Sequence, residues 1–209
     1  NCSRNSLISL FEGPTEVNDF DCSYNQLKNL SYAPKEVKGN FDCSNNLIDS
    51  VKGMPRTVKG YFNCSINKIA TLKGGPKYVD ATFDCSQNLI DRLTGGPVSV
   101  GQDYLCFKNN LTDLDGVADE IGFDLVSDIR LNHLSSTFNE EEKTWRYKGS
   151  EVISHIYKPI VALTNVDDIS RWLRKHEIKN FTILKDNSVN VHGDVKLADK
   201  LANLLKLPL

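Results

Sequence analysis

Apolar and polar positions along the first two thirds of the chain recur with a fixed spacing. The run Phe20-Asp21-Cys22-Ser23-Tyr24-Asn25 returns as Phe41-Asp42-Cys43-Ser44-Asn45-Asn46, as Phe62-Asn63-Cys64-Ser65-Ile66-Asn67 and as Phe83-Asp84-Cys85-Ser86-Gln87-Asn88. A worn copy follows at Tyr104-Leu105-Cys106-Phe107-Lys108-Asn109, and the chain opens on a truncated one, Asn1-Cys2-Ser3-Arg4-Asn5. The cysteines stand 20 and then 21, 21, 21 and 21 residues apart. Aromatic-x-Cys is a period-2 pattern, so both side chains point to one face of a short strand. Beyond Asn the apolar sites fall five and eight residues after Cys, as in Ile48 and Val51, and the strand must end there. A Pro-x-x-Val segment, such as Pro55 to Val58, carries the chain back. Such a period is the signature of a solenoid whose neighbouring units share one core.

The asparagines suit the bend after each strand, where a side-chain amide can satisfy backbone groups that a curved buried segment leaves unpaired. Stacked in register they predict an internal ladder. Pro and Gly predict an extended or loosely turned return segment on the outer side.

Pro14-x-x-Val17-x-x-Phe20-x-Cys22-x-x-Asn25-x-Leu27-x-x-Leu30 resembles the leucine-rich repeat, with Phe and Cys at two of the usual Leu positions. The 20-residue unit is similar to the short repeats of secreted bacterial effectors. The 21-residue units, with Gly39 and Gly60 before the strand, resemble more closely the Phe-Asp-Cys-Ser-x-Asn-x-Leu arrays of large tailed bacteriophages. The resemblance covers about residues 1–134 and implies an α/β fold: a leucine-rich-repeat solenoid with a parallel concave β-sheet. Laying Phe123-Asp124-Leu125 on Phe-Asp-Cys puts Leu125 at the thiol site, Asp128 at the Asn site and Ala118 at the Pro site of a degenerate last unit.

The polar stretch 135–150, with Glu140-Glu141-Glu142, reads as a linker. Residues 151–209 read as a small α+β domain or cap. Helices are expected over 151–163 and from Thr164 onward, with Val166, Ile169, Trp172 and Leu173 as an apolar stripe. Strands are expected over 181–184 and 189–191 around a turn at 185–188. The run from Ile183 to Leu197 resembles the segment that precedes phage repeat arrays, which leaves a cap and the start of a second array as alternatives. The chain begins at Asn1 inside a unit and without Met, which points to a fragment or processed product with an open strand edge.

One cysteine per unit at one offset predicts a column of buried, reduced thiols rather than a disulfide framework, and no close Cys pair offers a zinc site. Free thiols point to a reducing, cytoplasmic compartment. The four histidines fit no metal spacing, and no phosphate loop, nucleophile elbow or paired-carboxylate motif is present. We expect no enzyme activity, metal or cofactor. No apolar run is long enough to span a bilayer, and a net charge of −2 gives no general pull toward nucleic acid.

The strand residues that alternate with the buried column should face solvent. Asp19, Asp21, Asp42, Asp84, Asp103 and Asp124 would line the concave sheet with Asn63, while Tyr61, Leu105 and Phe107 interrupt the polar columns. Either this is a hydrated face, or it is an acidic recognition surface with apolar anchors for a protein partner. Phe107 admits a second reading, packing beneath the segment that follows the array. Lys35, Lys38, Arg56, Lys59 and Lys77 fall in the return segments, making the array electrostatically two-faced. The expected function is therefore protein binding through the concave face. The phage resemblance implies a bacterial host factor as target, met in the infected cytoplasm and inhibited. Alternatives are a targeting arm for an enzymatic or nucleic-acid-binding C-terminal module, with Arg171, Arg174, Lys175 and Lys179 as its basic patch, and a structural virion component or homo-oligomer joined through the N-terminal edge.

Overall fold

A computed structural model describes residues 1–114, 116–130 and 136–149, together with the backbone of 181–183 and 189–191. The chain divides into two compact units, Asn1–Val152 and Ile153–Leu209.

The first unit is a parallel β-solenoid, as the period requires. Each coil places one two-residue strand at its Phe-Asp site: Phe20–Asp21, Phe41–Asp42, Phe62–Asn63, Phe83–Asp84 and Tyr104–Leu105. These pair in parallel, Phe on Phe and Asp on Asp, in strict one-coil register. The return segment, expected to be loose, is a second parallel arrangement of strands. Glu16–Val17 pairs with Glu36–Val37, and Thr57–Val58, Tyr78–Val79, Ser99–Val100 and Glu120–Ile121 form a four-stranded sheet. Among the described residues of the array there is no helix, so this part of the expected α/β fold is all-β. The reason is local. The return offers one inward β-branched residue per coil, too few apolar positions to build a helical stripe.

The core lies between the two sheets. Phe41, Cys43, Ile48, Val58, Phe62, Cys64, Ile69 and Cys85 are fully buried. The aromatic column stacks at centroid distances of 5.2, 5.4, 5.7 and 5.0 Å from Phe20 to Tyr104. Each buried aromatic or aliphatic side chain contributes roughly 1.5–3 kcal/mol. Gly60 precedes its strand because a Cβ there would collide with the Asn40 side chain, whose Oδ1 accepts the Tyr61 N–H.

The last coil corrects the sequence alignment. Tyr104 pairs with Leu125 and Leu105 with Val126, so Leu125 continues the aromatic column and Ser127 the thiol column. Phe123, laid above on the aromatic site, is 61% exposed. The motif was matched two residues early, whereas the 21-residue period gives the right register: Ala118 does hold the Pro site and is buried.

The stretch 135–150, read as a linker, contains a β-hairpin. Ser136–Asn139 pairs antiparallel with Thr144–Lys148, which pairs antiparallel with Asp124–Ser127 and extends the parallel sheet to eight strands. Asn139 closes the turn, its Oδ1 accepting the N–H groups of Glu141 and Glu142, and Lys143 takes the left-handed conformation. Tyr147, opposite Leu125, is buried and donates its hydroxyl to the Ile129 carbonyl. An antiparallel hairpin thus covers the last parallel edge, as a terminal unit must. In the second unit, Phe181–Ile183 pairs antiparallel with Val189–Val191, the expected hairpin. The helices expected over 151–163 and from Thr164 lie outside the described residues.

The candidate recognition face

The residues that end each strand also shape its outer surface. Asp42 Oδ1 accepts the Ser44 N–H at 2.9 Å, and the same i to i+2 bond is made by Asp21, Asn63 and Asp84 to Ser23, Ser65 and Ser86. These side-chain turns stop the strand. The residue two after Cys then takes a left-handed conformation in these coils: Tyr24, Asn45, Ile66, Gln87 and Lys108 have φ between 52° and 54°. Asn follows and turns inward. Asn67 Nδ2 donates to the carbonyls of Cys43, Cys64 and Ser65, and its Oδ1 accepts the Ile48 N–H of the preceding coil at 3.0 Å. Asn25, Asn46, Asn88 and Asn109 repeat this pattern. Asp-x-Ser-x-Asn is therefore a turn code, and its acids serve the fold before anything else.

Two outward columns result. One runs Asp21, Asp42, Asn63, Asp84, Leu105, Val126 and the other Asp19, Asn40, Tyr61, Thr82, Asp103, Asp124. The second column is also tied to the backbone. Asp19 and Asp103 accept the N–H groups of Asn40 and Asp124 one coil on. Each carboxylate in these bonds keeps a second oxygen. That of Asp42 accepts from Asn63 Nδ2 at 3.3 Å, and that of Asp21 from Asn1.

The column is not electrostatically uniform. Burial works to raise the Asp21 carboxyl, but bonds from Ser23, Ser3 and Asn1 outweigh it and hold the group below the usual range. At Asp84 burial prevails over its Ser86 bonds, Asp42 and Glu142 add to it, and the carboxyl is raised. Tyr61, 38% exposed, has its hydroxyl pKa raised by burial first and then by Asp42, Asp21 and Asp19. A phenol, a potential donor, thus stands among three carboxylates.

The far end of the face is occupied. Arg146, from the hairpin, donates to Asp124 Oδ2 at 3.0 Å and Asp103 Oδ2 at 3.5 Å, and the Asp124 bond is the first cause of its raised pKa. Phe107 was expected to present a solvent-facing anchor; it is 8% exposed, as are the other residues of its position, Ser23, Ser44, Ser65 and Ser86, to within a similar margin. That position adjoins the turn, where even an outward residue is enclosed. Val126 and Thr144 nearby are buried as well, and Leu105 is half-buried. The open face therefore runs from Asp19 and Asp21 through Asp42, Tyr61 and Asn63 to Asp84, with Leu105 at its margin and Asp103 paired with Arg146. Arg146 escaped the sequence reading, although the alternation Thr144-Trp145-Arg146-Tyr147-Lys148 is a strand signal that places it.

The thiols are chemically quiet. Cys22, Cys43, Cys64, Cys85 and Cys106 are fully buried free thiols, and burial raises them all, Cys106 to about 12. Among the described residues no three His, Cys, Asp or Glu side chains gather into a metal cluster, and no helix is long and apolar enough to cross a membrane. No protein-family model, curated protein or solved structure matches the chain.

Proposed function

We propose that the chain is a non-enzymatic protein-binding module whose partner docks on the open face of the parallel sheet. Tyr61 carries this reading. It is a large aromatic, 38% exposed, in a stretch of the columns from Asp19 to Asn63 that is otherwise carboxylates and amides. Aromatic anchors ringed by polar groups are what interface cores use. The acids around it are held by backbone N–H groups, so a partner meets a preorganised surface and loses little entropy in ordering it. Five of the six thiols, the commonest nucleophile candidates in such a chain, are held protonated inside the core, which favours binding over catalysis.

The resemblance of the Phe-Asp-Cys-Ser-x-Asn-x-Leu units to tailed-phage arrays directs the search for a partner to bacterial cytoplasmic proteins, with inhibition of a host factor as the expected consequence. Tyr78 supplies an internal control, being 42% exposed on the return sheet. Tyr61→Ala should abolish capture of a specific bacterial protein while Tyr78→Ala leaves it intact. Equal capture by both variants would refute the assignment of this face.

A further inference from the structure

The return side carries a feature the binding face does not explain. Nine and thirteen residues after each Cys, the three coils that start at Cys22, Cys43 and Cys64 place Lys35, Lys52, Arg56, Lys73 and Lys77, with Ser31 at the sixth position. Five cations stand in two adjoining columns without one acid. The columns meet at the corner where the chain enters its return strands: Lys35 Nζ donates to the Gly53 carbonyl beside Lys52, and Lys77 Nζ to those of Gly95 and Gly96. Lys52, Arg56 and Lys73 are exposed. The crowding is felt at Lys77, where burial and then the Arg56 charge disfavour the ammonium form.

Across the core, Asp19, Asp21, Asp42 and Asp84 line the open face. Both sets belong to one solenoid and so share one repeat, the coil spacing of about 4.8 Å. A ridge of one copy laid along the face of another therefore sets cations and acids at the same axial repeat, so several can pair at once. The molecule already holds an example of the contact: Arg146 reaches over this sheet and spans Asp103 and Asp124, acids of consecutive coils. We propose that the chain self-associates ridge to face, Arg56 and its lysine neighbours in one copy settling on the Asp21–Asp84 column of the next. Ridge and face are different surfaces, so the contact is heterologous. It leaves a free ridge and a free face at the ends and builds open chains instead of closed dimers. The assembly covers Tyr61, so it competes with the partner docking proposed above, yet it is measured on the purified chain and does not depend on that reading.

Sedimentation velocity over a concentration series, in about 0.02 M and about 1 M salt, tests it, because charge pairs are screened within about 3 Å at the higher value. Assemblies that grow with concentration at low salt and dissolve to monomer at high salt are expected. K52E/R56E/K73E, at exposed positions, should remain monomeric in both. So should D21N/D42N/D84N, whose turns survive because Asn63 makes the same bond to Ser65 in that column; a parent-like circular dichroism spectrum and a cooperative melting transition check both folds. A monomeric parent at low salt overturns the proposal. So do assemblies that persist in 1 M salt or in either variant, which would assign the contact to apolar surface such as the exposed Phe11 and Tyr32. A parent that stays monomeric at low salt while Tyr61-dependent capture is intact would sink this inference alone.

Discussion

Replacing Asn67 by Leu separates a structural ladder from a merely recurrent residue. Asn67 makes four hydrogen bonds to backbone. Its three acceptors keep other partners: Cys43 O retains Asn46 Nδ2, Cys64 O retains Asn88 Nδ2 and Ser65 O retains the Asn45 N–H. Losing one of two bonds costs each about 0.5 kcal/mol. The Ile48 N–H has no other partner among the described residues, and a buried orphan donor costs about 1–3 kcal/mol. Added apolar burial by Leu offsets about 1 kcal/mol. The expected net loss is about 1.5–3.5 kcal/mol, read as a fall in the urea midpoint. Among the described residues Asn5, itself exposed, bonds only the carbonyls of the partly buried Cys2 and Ser3, so Asn5→Leu should cost less than about 1 kcal/mol. If Asn67→Leu unfolds within about 0.5 kcal/mol of the parent, or if the two variants are equally damaging, the ladder does not hold the coils as argued.

Tyr104 buries a hydroxyl without a hydrogen-bond partner among the described residues, in a column whose preceding members are Phe, so Tyr104→Phe should stabilise the array by about 1–2 kcal/mol, and a lowered melting temperature would show that the hydroxyl is satisfied. Asp84→Asn should raise stability at pH 7: a folded-state pKa above the unfolded one penalises the ionised carboxyl at neutral pH, and this penalty disappears as pH falls through the raised pKa. A gain that persists unchanged at acid pH would point to packing instead of charge. In the native protein Cys2, only partly buried, should react with a thiol reagent long before the other five, and rapid reaction of all six would place the cysteine column outside the core.

The repeats were legible because each coil carries the same few instructions in the same order: an aromatic and a thiol two residues apart, Asn to tie off the bend, Pro and Val for the return. Twenty-one-residue spacing alone fixes the register of Phe62 on Phe83. The misreadings arose where one instruction served two purposes. Asp42 reads as a solvent-facing charge by alternation, and it is one, but Asp-x-Ser also encodes the turn that ends the strand. Phe107 reads as exposed by alternation, and the enclosure of that position shows only in three dimensions. At the last coil Phe123-Asp124 imitates the motif two residues ahead of the period, and the period wins because backbone pairing with Tyr104 and Leu105 sets the register. The hairpin was hidden by Glu140-Glu141-Glu142, whose polarity suggests a loop although it is only the turn between two alternating strands.

The claim that the open face is where a partner docks is tested most directly by photo-crosslinking from matched positions. A photoreactive phenylalanine in place of Tyr61 and, separately, of Tyr78 puts equivalent probes on the two sheets, at sites of nearly equal exposure. In bacterial lysate, at salt high enough to dissolve any self-assembly, the Tyr61 probe should form one dominant adduct with a bacterial protein, and the Tyr78 probe should not form it. The same adduct from both probes, or from Tyr78 alone, would contradict the account.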